Sequence, residues 1–244
     1  RQTATAPNNL SGNIALGART TLLEELSAHD VETAKLSQKL GRAIIEDAKA
    51  RIEGAGIANV TARLRIGDIV EAVTENEADA DIVVIGKRGE AADFAKLHLG
   101  SNLERIARSC SRPVFVAARA FTPVERFLIA YDGGSSSRKA VEYVAASPLF
   151  RGLQCRLLTV TADTAESRAE LSRAEAKLTA AGIDVEADIV QGPPDLLIAE
   201  AVETENIGLL VIGAYGHYRI RSLIIGSTTA EMIRLCKIPV VLFR

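Results

Sequence analysis

Three cysteines, three histidines and a single methionine are spread through 244 residues, and each scarcity closes off a class of function. Cys110, Cys155 and Cys236 are odd in number and form no Cys-x-x-Cys pair. They make no disulfide framework, point to a reducing compartment and read as small core residues. His29, His98 and His217 are dispersed, so no metal site is indicated. No run approaches the roughly 18 apolar residues of a membrane span. Lys and Arg are scattered without a basic run and the formal net charge is −2, which argues against nucleic acid as the main partner. The one methionine is Met232, so the chain as given does not start at an initiator.

What the chain has is alternation. Apolar residues make up 48% of it, arranged as short strand-like runs between helical patterns. That fits α/β layers with buried parallel strands. One run, Ile207-Gly-Leu-Leu-Val-Ile212, opens into Gly213-Ala-Tyr-Gly216, and Gly226-Ser227 follows after nine residues. Thr228 to Cys236 then has helical spacing. Glycines without a Cβ let backbone approach an anion, and a helix start supplies free N–H groups and a favourable dipole. Ser227 could cap that helix or bind an oxygen. A bare Gly-x-x-Gly equally describes a tight turn followed by an N-cap, but Gly-x2-Gly-x9-Gly-Ser is far more specific.

The chain nearly repeats this block. Asp81 to Ile85 lead into Gly86-Lys-Arg-Gly89, with Gly100-Ser101 beyond. From there the halves align at a constant offset of 126, which sets Gly100 on Gly226, Arg108 on Arg234, Cys110 on Cys236 and Pro113 on Pro239. Upstream, Gly67-Asp-Ile-Val-Glu-Ala stands against Gly192-Pro-Pro-Asp-Leu-Leu-Ile-Ala. A period this long means duplicated domains rather than a solenoid. In its full spacing the motif resembles the nucleotide-binding signature of the universal stress protein family, and the repeat resembles its tandem form over most of the chain. The resemblance implies two doubly wound, parallel, five-stranded α/β domains of the adenine-nucleotide alpha-hydrolase-like kind, at residues 1–120 and 121–244.

The second half reads as complete. Strands are expected at Phe127–Tyr131, Cys155–Val160, Val185–Val190, Ile207–Ile212 and Val240–Phe243, with helices at Ser137–Ala146, Ala165–Ala181 and from Pro194 through Glu203. The first half reads differently. Ser27 to Glu53 has the pattern of one long helix, Leu10–Leu26 before it reads as loop passing into helix, and Val60–Arg65, Ile82–Ile85 and Val114–Ala117 read as strands. Nothing in residues 1–26 resembles the opening of the second half, so the first strand, first helix and second strand of domain one are expected to be missing. Arg119 to Arg126 is the linker.

Asp132 follows the first strand of the second half, where open α/β sheets bind ligands. By resemblance an acidic residue here contacts the nucleoside end of ATP; the plain alternative is an Asx-turn or helix cap. Ala130 and Val160 would line an adenine pocket by the same resemblance, though core packing also explains them. Gly192 would let the third strand's end pass close to the ligand, or serve a helix-entry turn. Gly213, Gly216, Gly226, Ser227 and Thr228 form the phosphate cradle, and His217 and Arg219 in the spacer could reach phosphate oxygens; Arg221 reads as solvated surface. Domain one departs from the signature: its spacer, Glu90 to Leu99, has ten residues, and it shows no partner to Asp132.

No Gly-x4-Gly-Lys-Ser/Thr loop, HExxH motif or Gly-x-Ser-x-Gly elbow is present, and nothing argues for an enzyme beyond a weak ATPase. The resemblance therefore implies a cytoplasmic stress-response protein that binds ATP, with or without Mg2+, in its second domain. A nucleotide-free dimerisation scaffold and a slow ATP hydrolase are the rival readings. The equivalent last strands, Val114–Ala117 and Val240–Phe243, are expected at sheet edges that pair with each other, giving an intramolecular pseudo-dimer open to further homodimerisation.

Overall fold

The computed structural model describes residues 16–86, 101–118, 120–214 and 237–244, which divide between two compact units, 1–66 and 67–244. In the first unit the described residues are one long helix, α1 (Leu16–Gly54), and a following segment without regular structure. The helix starts within Leu10–Leu26, the stretch expected to pass from loop into helix. The strand expected at Val60–Arg65 does not form, and residues 57–66 carry no ladder. Strand backbone needs a second strand to take its N–H and C=O groups, and the unit offers none among its described residues. The alternation that suggested a strand serves packing instead: Val60 and Ala62 are half-buried, and Leu64 rests against Gly41 of α1. Asn59, at φ 63, also turns the backbone out of the extended region.

The second unit is built on a seven-stranded sheet. Its strands are β1 (Val83–Gly86), β2 (Val114–Ala117), β3 (Arg126–Ala130), β4 (Gln154–Val160), β5 (Asp184–Val190), β6 (Leu209–Gly213) and β7 (Val240–Phe243), in the order β1-β2-β7-β6-β3-β4-β5. The described helices of this unit are α2 (Ile69–Thr74), α3 (Ser101–Ser109), α4 (Ser135–Ala146), α5 (Ala165–Ala180) and α6 (Pro194–Thr204). From β7 to β5 all neighbours run parallel. That is a doubly wound five-stranded sheet within the second half of the chain, to which the first half adds two strands.

The halves meet where β2 and β7 pair antiparallel, Val114 opposite Leu242, Phe115 opposite Val241 and Val116 opposite Val240. Residues 115 and 241 differ by the same 126 that relates the repeats. Exchanging every residue for its counterpart therefore maps this ladder onto itself, with Phe115 and Val241 at the pseudo-twofold axis. β1 on β2 repeats β6 on β7 as well, with Gly86 opposite Ala117 and Gly213 opposite Phe243. Two apolar edges have closed on each other, which removes the liability that each would carry alone.

The strands are buried on both faces, so their sequences read as nearly continuous apolar runs. Phe127, Ile129, Leu157, Val211 and Val241 pack on one face beneath Ala140, Val141 and Val144 of α4 and Leu171 and Leu178 of α5. Leu128, Leu158, Leu210 and Leu242 take the other face with Ile198 and Val202 of α6. That second core crosses the seam to include Leu103 and Ile106 of α3, so the halves share apolar packing as well as a ladder. Cys110 and Cys155 are both buried there or on the opposite face, with thiols pushed up by burial to about 11 and about 12. Cys236 lies outside the described residues.

The outer strand β5 protects its edge with charge. Asp184, Glu186 and Asp188 alternate along it, and Arg156 of β4 pairs with Asp188 at 3.2 Å and Glu205 at 3.2 Å. Among the described residues, no helix is long and apolar enough to cross a membrane.

Candidate functional site

The sheet changes winding direction at β3. Its chain neighbour β4 lies on one side and β6 on the other, and α4, which follows β3, and α6, which precedes β6, cover opposite faces. Such a switch point leaves a crevice at the carboxyl ends of the two strands, the usual ligand position in open α/β sheets. Two sequence-predicted groups flank it. Asp132 lies two residues beyond β3, and Gly213 is the last residue of β6; Ala130 and Ile212 are ladder partners just below.

Asp132 is exposed and anchored through one oxygen. Its Oδ1 accepts from the amide of Gly134 at 2.9 Å and from the Ser137 hydroxyl at 2.6 Å. This is an Asx-turn that launches α4, with Gly134 as the N-cap residue. The turn expected as the plain alternative is therefore present, and it leaves Oδ2 without a bond among the described residues. Behind the loop Tyr131 is buried, its phenol pushed up by that burial and opposed by a bond with Arg138. Arg138 in turn reaches Glu170 of α5 at 3.1 Å, tying the loop's base to the neighbouring helix.

Gly213 has a packing reason to be glycine. A Cβ there would stand 3.0 Å from Ser136 Cβ and 3.1 Å from the Ser137 nitrogen. The first turn of α4 thus lies directly on the end of β6. The next amide, of Ala214, donates to the Phe243 carbonyl at 2.7 Å and ties the end of β6 to the end of β7.

Ala130 and Val160 are both half-buried and pack on the same core face, with Leu128 and Leu158. Gly192 stands apart, at the end of β5 and two strands from the crevice. Its φ is 150, and a Cβ would meet Leu197 Cδ1 at 2.8 Å. Its counterpart Gly67 also takes a positive φ, 134, before a helix. The helix-entry turn is common to both halves, although its caps differ: Asp68 accepts from Val70 and Glu71 in α2, whereas α6 begins with Pro194. Ser137 was missed as a site residue in the sequence; its only signal was a serine five residues after Asp132. Gly216, His217, Arg219, Gly226, Ser227 and Thr228 lie outside the described residues.

Comparison with known proteins agrees with this frame. The model of the universal stress protein family matches residues 15–118 and again 123–244. A universal stress protein of Synechocystis sp. is 38% identical over all of this chain and 85% of its own length. Among solved structures, a universal stress protein from Archaeoglobus fulgidus DSM 4304 superposes with a TM-score of 0.69 at 27% identity, covering 87% of this chain and 78% of that one. A functionally unknown protein from Pseudomonas aeruginosa PAO1 shares the fold, with a TM-score of 0.60 at 15% identity over 83% of this chain and 77% of its own. The duplicated sequence and the doubly wound sheet have one account: this chain belongs to the universal stress protein family and carries that family's domain twice.

Proposed function

We propose that the second half of the chain binds ATP, with or without Mg2+, at the β3–β6 crevice, and that occupancy is the regulatory signal of a cytoplasmic stress-response protein. The observation that carries this reading is the placement of Asp132 and Gly213 on adjacent strand ends at the switch point. Gly213 opens the Gly-x2-Gly-x9-Gly-Ser signature, so the chain of the cradle departs from the crevice itself. Asp132 offers Oδ2 to the nucleoside, Ala130 and Val160 give an apolar wall for the base, and the residues from Gly216 to Thr228 receive the phosphates. A nucleotide-free scaffold is the second reading, favoured by the β2–β7 seam, which joins the halves through a ladder and a shared apolar core.

Asp132 separates the two readings. In calorimetric titrations, Asp132→Ala is expected to weaken ATP by about 1–3 kcal/mol, the cost of a lost hydrogen bond to a charged group. Inorganic triphosphate should bind the variant and the parent alike. Equal weakening of both ligands would assign Asp132 to the Asx-turn alone, and absence of ATP binding in the parent would leave the scaffold.

A further inference from the structure

We infer that Ser137 is a positioning residue for Asp132, setting which carboxylate oxygen meets a ligand hydroxyl. This rests on the ATP reading above and deepens it. Ser137 is 1% exposed although it sits in the first turn of α4, beside one of the chain's exposed acids. A buried hydroxyl needs a partner, and two acceptors are near: Asp132 Oδ1 at 2.6 Å and the Gly134 carbonyl at 3.1 Å. A serine has one proton to donate, and the shorter bond to the charged oxygen takes it.

Oδ1 therefore receives two donors, the Ser137 hydroxyl and the Gly134 amide, from the same turn of backbone. That pair fixes both the position and the rotation of the carboxylate. Gly134 enforces the fit, since a Cβ on it would lie 3.0 Å from Oδ1 and 3.3 Å from Oδ2. With Oδ1 holding two donors, Oδ2, which has no bond among the described residues, is the oxygen left for a ligand, and its lone pairs suit a sugar hydroxyl. Without Ser137 the carboxylate keeps only the amide bond and regains rotational freedom, so ligand binding must order it again. Ser137 thus acts on the nucleoside end of the ligand and not on the phosphates.

The test titrates the full chain with ATP and with inorganic triphosphate, using parent, Ser137→Ala, Ser137→Thr, Asp132→Ala and the Ser137→Ala/Asp132→Ala double variant. Loss of one hydrogen bond corresponds to about a 2–10-fold weaker ATP affinity for Ser137→Ala, with triphosphate affinity at the parent value. Ser137→Thr, which keeps the hydroxyl, should retain the parent's preference for ATP, and the double variant should be no weaker than Asp132→Ala alone. If Asp132→Ala discriminates between the two ligands but Ser137→Ala does not, the positioning role is wrong while the ATP site stands. If Ser137→Ala weakens both ligands equally, the serine only holds the start of α4. If Asp132→Ala itself fails to discriminate, the nucleoside contact fails and this inference fails with it.

Discussion

Replacing Val241 with proline is expected to destabilise the second unit and let the two halves of the chain part. Val241 is 1% exposed and has a strand on either side, opposite Val211 in β6 and Phe115 in β2. Whichever way its N–H points, proline removes a ladder donor from the interior of the sheet. The orphaned buried acceptor alone costs about 1–3 kcal/mol, and the ring must also be accommodated between two neighbours. Because residues 115 and 241 sit on the pseudo-twofold axis, the damage falls at the centre of the seam. Urea denaturation should show the lower midpoint. A protease site placed in the exposed 120–123 segment, where Phe121 is 91% exposed, reads the seam directly. After cleavage the parent's two pieces should stay together through β2–β7 and the shared core, while those of Val241→Pro separate. Separation of the parent's pieces would show that the seam contributes little.

Gly213→Val should be the second large effect. A single Cβ would already stand 3.0 Å and 3.1 Å from atoms of Ser136 and Ser137, both part of the first turn of α4. Valine adds two further methyl groups to that contact. Overpacking of this kind costs about 1–3 kcal/mol, and the relief available is displacement of the α4 start. That displacement moves Ser137, hence Asp132, so ATP affinity should fall together with stability. Gly213→Ala, which needs a shift of only a few tenths of an ångström, should fall between valine and the parent. Parent-like urea midpoints for both variants would contradict the packing account of Gly213.

These expectations also show what the sequence could convey. Val114–Ala117 and Val240–Phe243 were legible to the residue, since a strand buried on both faces leaves an unbroken apolar run, and their pairing was expected from the liability of two apolar edges together with the family resemblance. Val60–Arg65 misled because alternation records burial on one side and says nothing of whether the cover is a strand or a helix. Gly192 was read either as making room for a ligand or as a helix-entry turn, and the turn is what forms; Gly213 was read as opening a phosphate loop, and its contact with α4 was not foreseen. Spacing cannot tell a turn with positive φ, or a helix end pressed on a strand, from a cradle for phosphate. Ser137 was invisible for a related reason: its partner Asp132 is brought back to it only by the Asx-turn, and no pattern of polarity marks that contact. The order of the sheet, which turns Asp132 and Gly213 into neighbours, came from doubly wound topology and not from any residue.

On the proposed reading, the second half of this chain holds ATP across the glycines that follow β6. Calorimetric titration of ATP into the full-length parent and Gly216→Val, with circular dichroism confirming equal folding, tests it most directly. Under that reading the valine puts a branched side chain into the phosphate cradle, so the parent should bind ATP and the folded variant should show no heat of binding. Parent-like ATP affinity in Gly216→Val would contradict the claim.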